Sequence, residues 1–162
     1  MVDVPVNGDT LNEPDEAFFV ILHSPTNATI SQAQGIGTII SDDPPPDTTA
    51  PTVTTTIPQA GAKGVSRTST VKANFSEAVQ ATTLTSENVQ LFSGNSTKPL
   101  KATLSKTSDS VTLTPSQRLD AKNSYRAVVS TGVKDLEGNA LDQDPNVTDN
   151  QPKQWTFITG AQ

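Results

Sequence analysis

The chain has 162 residues, 33% hydrophobic, 4% aromatic and 17% charged, with a formal net charge of −6 and no cysteine. That length makes one ordinary domain, or one domain plus a fragment. The acidic balance argues against a nucleic-acid partner, which needs clustered Lys and Arg. The lack of cysteine excludes disulfides, zinc–thiolate sites and thiol nucleophiles, and no run approaches the roughly 18 apolar residues of a membrane span.

Taken in order, Val2, Val4 and Val6 alternate with Asp3 and Pro5, which predicts a short edge strand ended by Asn7-Gly8-Asp9. An acidic loop follows over residues 9–16. Ala17-Phe18-Phe19-Val20-Ile21-Leu22 is apolar on both faces and predicts a strand buried between two layers. Ser24-Pro25-Thr26-Asn27 marks a turn, and residues 36–40 read as the returning strand. If 17–23 and 35–41 pair antiparallel, the start of one lies beside the end of the other. Glu13 and Glu16 would then meet Asp42 and Asp43 at one end of the sheet. Carboxylates crowded in this way repel unless a cation or protons intervene. Calcium is the natural partner, because it accepts about 6–8 oxygens in flexible geometry.

The string Gly8-Asp9-Thr10, Glu13-Pro14-Asp15-Glu16-Ala17-Phe18-Phe19-Val20-Ile21-Leu22, Gly37-Thr38-Ile39-Ile40 and Asp42-Asp43 resembles the C-terminal half of a Calx-β domain. The resemblance implies a partial β-sandwich of three strands over residues 1–43. It also implies calcium ligation by Asp9, Glu13, Glu16, Asp42 and Asp43. Gly8 and Pro44 stand where the strongest binders carry further acids, and the family's other ligands lie in the half not represented here. Weak calcium binding is therefore expected of this segment. Three strands cannot cover both faces of Phe18 to Leu22, so the segment is expected to be completed by upstream sequence. No basic stretch followed by an apolar one opens the chain, so an export signal is likewise expected upstream.

Residues 44–51 contain three consecutive prolines, which fix φ, remove amide donors and favour a semi-rigid polyproline II spacer. Beyond this linker, strands are predicted over 53–57, 70–75, 89–92, 100–106, 111–114, around Tyr125, Ala127 and Val129, and around Trp155 and Phe157. Thr107-Ser108-Asp109-Ser110 reads as a hairpin turn. About seven short strands separated by turn residues predict an all-β fold, an antiparallel sandwich over residues 52–160. Phe75-Ser76-Glu77-Ala78-Val79, Leu113-Thr114-Pro115, Val133-Lys134-Asp135-Leu136-Glu137-Gly138-Asn139 and Trp155-Thr156-Phe157-Ile158-Thr159-Gly160 resemble an SbsA-type bacterial Ig-like domain. That family occurs in surface-layer and other large exported proteins, and the resemblance implies a structural or adhesive module without catalytic residues.

Other motifs read as ordinary structure. Asp142-Gln143-Asp144 superficially suggests a calcium loop, but Val147 and Lys153 stand where an EF-hand needs Gly and Glu. Asp135 to Asn139 reads as turn chemistry. Glu77 reads as a strand-end residue, and pairing it with Asp135 as glycosidase carboxylates would require a defined separation and a cleft. His23 is the only histidine and has no partner motif. The expectation is a non-enzymatic module of an extracellular or cell-surface bacterial protein, with calcium at the junction of its two parts. Its partners would be neighbouring domains of the parent chain and a surface protein or polysaccharide, without nucleic acid or membrane insertion. The alternatives are an accessory spacer of an exported polysaccharide-degrading enzyme, or a carbohydrate-binding module.

Overall fold

A computed structural model describes residues 3–161. The chain divides into two compact units, Met1–Asp47 and Thr48–Gln162. Among the described residues every regular element is a β-strand, and every named strand pair is antiparallel.

The first unit is built on a hairpin of β1 (Glu16–Ile21) and β2 (Gln34–Ile39), with Glu16 opposite Ile39 and Ile21 opposite Gln34. Aromatic and β-branched residues favour this pleated pairing. Gly37 lies under the Phe18 ring and leaves room for it, since a Cβ there would collide with the ring. Two expectations fail in this unit. Residues 3–9 form no strand: Val4 and Val6 are exposed, and Pro5 offers no amide to a ladder; Val2 lies outside the described residues. Among its described residues the unit thus has two strands rather than three. Residues 17–22 are also not buried between layers, because a lone hairpin has no second layer. Phe19, Ile21 and Ile36 are 57%, 65% and 71% exposed.

The second unit is a two-layer sandwich. One sheet has the order β3 (Val53–Ile57), β4 (Val71–Phe75), β7 (Ser110–Pro115), β6 (Ala102–Lys106). The other has the order β5 (Val89–Ser93), β8 (Ser124–Val129), β9 (Lys153–Ile158). Strict alternation turns Val71, Ala73 and Phe75 inward from one sheet, and Tyr125, Ala127, Val129, Trp155 and Phe157 inward from the other. Each large side chain so buried stabilises the fold by roughly 1.5–3 kcal/mol. Tyr125 and Phe157 stack with centroids 5.6 Å apart. Phe92 breaks the alternation: it is buried next to inward-facing Leu91, covered by the Arg126 guanidinium 4.4 Å from its ring centre. The two residues are cross-strand partners, so register places the cation on the aromatic face.

The outer edges of β9 and β3 are both occupied. Residues 61–65 run beside β9, with Gly61 N donating to Thr156 O (2.8 Å), Ile158 N to Ala62 O (2.8 Å) and Gly160 N to Val65 O (2.8 Å). On β3, the Gln143 side chain imitates a neighbouring strand. Val53 N donates to Gln143 Oε1 (3.0 Å), and Gln143 Nε2 donates to Val53 O (3.3 Å). Edges satisfied in this way are poor templates for aggregation.

The route of the chain through the sandwich follows from register. Val53, at the start of β3, is the partner of Phe75, whose amide bonds to Asp109 O in the turn between β6 and β7. Ile158, at the end of β9, is the partner of Ser124, which opens β8 after the connection leaving the other end of β7. The chain therefore enters this unit at one end of the sandwich and leaves it at the opposite end.

Candidate functional site

In the first unit, β1 and β2 bring the predicted acidic stretches to the same end of the hairpin. The hydrogen bonds that tie them come mostly from neighbouring residues. Asp15 Oδ1 accepts from Ser41 N (2.9 Å), and Asn12 Nδ2 donates to Asp43 O (2.6 Å). Asp9 Oδ1 accepts from Leu11 N (2.7 Å), a local turn. Asp9, Glu13, Glu16 and Asp42 are exposed and Asp43 is half-buried. Among the described residues, no three of these five carboxylates lie within 4.8 Å of one another. The stretches are adjacent, and four of the five acidic residues are exposed.

In the second unit, Asp135 is fully buried. Its Oδ1 accepts from Gly138 N (2.6 Å) and Asn139 N (2.7 Å), and its Oδ2 from Asn139 Nδ2 (2.7 Å). Gly138 has φ +98°, a conformation an L side chain rarely adopts. The turn chemistry expected of this motif is what folds it. Glu77 lies nearby, with a carboxylate oxygen within 4.8 Å of one on Asp135. That separation approaches the roughly 5 Å of a retaining glycosidase. Asp135 is fully buried, and both its oxygens accept from backbone and amide donors of its own turn.

The Asp142–Asp144 loop is likewise closed on itself. Asp142 Oδ1 accepts from Asp144 N (3.1 Å) and Gln151 N (3.0 Å), and Asp144 Oδ1 accepts from Asn146 N (3.1 Å). His23 is exposed, beside the Ser24 hydroxyl at 3.4 Å. Sequence reasoning placed Tyr125 on a strand and missed its polar role. The buried hydroxyl accepts from Asp120 N at 2.7 Å, pinning the connection that leads into β8. A tyrosine just inside a strand that bonds a backbone group a few residues upstream is a device of Ig-like sandwiches. Thr159, also buried, does similar work at the exit: its hydroxyl donates to Asp120 O (2.6 Å) and accepts from Asn123 N (3.0 Å).

Several solved structures are similar to this chain. The N-terminal part of the bacterial S-layer protein SbsC matches at 17% identity over 69% of this chain and 24% of its own, with a TM-score of 0.47. CopC from Methylosinus trichosporium OB3b matches at 15% identity over 68% of this chain and 93% of its own, with a TM-score of 0.48. An L,D-transpeptidase from Mycobacterium smegmatis matches at 21% identity over 69% and 41%, with a TM-score of 0.44. Among curated proteins no significant match is found. No helix among the described residues is long and apolar enough to cross a membrane. Residues 47–159, well over half of the sequence, match the model of the bacterial Ig-like domain, and the chain belongs to that family.

Proposed function

We propose that this chain is a non-enzymatic, load-bearing spacer of an exported bacterial surface protein. The observation that carries this reading is the opposed placement of entry and exit in the Ig-like unit. A module entered at one end and left at the other adds its own length to an array. Force applied through its termini then runs along β3 and β9. Residues 61–65, hydrogen-bonded alongside β9, resist that force as several bonds loaded together. The natural absence of cysteine gives a direct test, because Thr52→Cys and Ala161→Cys introduce unique spin-label sites. The expected label separation is roughly 20 Å or more, the length of a strand of this size. A separation near 10 Å would mean that the chain turns back on itself and would overturn the reading.

The first unit, in this reading, is a partial Calx-β segment that binds calcium weakly through Asp9, Glu13, Glu16, Asp42 and Asp43. Support comes from the two bonds that hold residues 12–15 against residues 41–43. Exposed carboxylates on such a frame can swing toward a shared ion. Calorimetric titration of the full chain should saturate with a dissociation constant near 10⁻⁴–10⁻³ M, the range of extracellular calcium modules. Asp42→Asn with Asp43→Asn should abolish that heat; an identical trace from the double variant would contradict the assignment.

A further inference from the structure

We infer that the Ig-like unit carries a binding track for an acidic polysaccharide at the end of the sandwich where β5, β6 and β7 meet. A groove of about 450 Å³ opens there, within the usual size range of ligand sites. Its rim carries Lys98, Lys101 and Arg118, all exposed, against one acidic lining residue, Asp120. In a chain with 11 Lys and Arg against 17 Asp and Glu, this local excess runs against the overall charge. Two other cations are committed to the fold: Lys106 Nζ donates to Ala81 O and Leu84 O, and Arg126 covers Phe92.

The shape of the site argues for a chain-like ligand rather than a lone anion. A second groove of about 480 Å³ shares Pro99, Leu100, Lys101 and Ser116 with the first, and a third shares Ser116, Gln117 and Arg118. The shared lining residues make the three grooves neighbours on this part of the surface. Their walls are fixed in advance by Leu100 N to Leu91 O (2.7 Å), Ser116 N to Lys101 O (2.9 Å) and Leu119 N to Arg67 O (2.8 Å). A ligand therefore meets cations on a rigid frame and loses little free energy to ordering them.

The lining chemistry favours a glycan over other polyanions. Single-stranded nucleic acid is held by bases stacked on exposed aromatic rings. The aromatic residue lining this track, Tyr125, is 1% exposed and its hydroxyl is engaged. A lipid surface would need apolar anchors, yet the exposed large hydrophobics of this unit, Ile57, Leu136, Val147 and Ile158, all lie outside the grooves. Exposed Ser116 and Gln117 instead set neutral hydrogen-bonding groups among the cations, which matches a polymer of hydroxyls and spaced anionic groups.

The test is binding of the full chain to polygalacturonate, dextran sulfate, neutral dextran and a deoxythymidine oligonucleotide, at low and physiological salt. Binding is expected to polygalacturonate, dextran sulfate or both, which identifies the preferred anion, and to weaken with salt. Neutral dextran should not bind. The variant Lys98→Ala/Lys101→Ala/Arg118→Ala should lose at least tenfold in affinity at an unchanged melting temperature, since all three side chains are exposed. Lys63→Ala/Lys72→Ala/Lys134→Ala, which removes the same charge from residues that line none of the grooves, should lose less than twofold. No binding to either acidic glycan, tighter binding to the oligonucleotide, or equal losses in the two triple variants would each overturn the proposal.

Discussion

Tyr125 and Asp135 show how single polar atoms hold this sandwich together. Removing the Tyr125 hydroxyl leaves the ring stack intact and deprives Asp120 N of its acceptor. Tyr125→Phe should therefore cost about 1–3 kcal/mol, read as a lower melting temperature with unchanged circular dichroism. At Asp135, Asn would keep one acceptor oxygen but turn an amide donor toward Asn139 Nδ2. Asp135→Asn is expected to destabilise by about 1–3 kcal/mol in chemical denaturation. A smaller effect would mean that the loop relaxes around the change. The Asp135 turn was legible in the sequence because Asp, Gly and Asn at that spacing already specify local bonds and a positive φ. The tyrosine bond was not, because nothing in residues 120–125 says which amide the hydroxyl will find.

At the scale of elements, hydrophobic periodicity and intervening turn residues located the seven strands of the Ig-like unit, most clearly β4, β8 and β9, which each bury one alternating face. The same signal misled for β1. An apolar run predicts what a strand needs, not whether the chain supplies it, and Phe19, Ile21 and Ile36 remain open. Exposed apolar strand faces promote association. Phe19→Ser with Ile21→Thr should reduce self-association in sedimentation experiments and leave the melting of the Ig-like unit unchanged. The edge cover by Gln143 was equally invisible, because its partner Val53 lies 90 residues away. Gln143→Ala should cost about 1 kcal/mol, the net value of an ordinary hydrogen bond.

For the whole molecule, short strands separated by turn residues argued correctly for an all-β chain, while composition and charge averaged away the basic track, whose cations come from separate loops. The acidic residues near the linker were easy to find from sequence. What they could not reveal is which groups make the contacts: Asp15 with the Ser41 amide, and Asn12 with the Asp43 carbonyl. The order of strands, by contrast, has a direct mechanical consequence once β3 and β9 are known to run from one end of the sandwich to the other. Stretching the full chain between terminal handles in a single-molecule force experiment tests this most directly. The account predicts one cooperative unfolding event from the Ig-like unit, with a contour-length gain on the order of 350–400 Å for residues 48–161, and no separate peak from the exposed hairpin. A featureless extension, or a series of small gains in place of one, would contradict a load-bearing module.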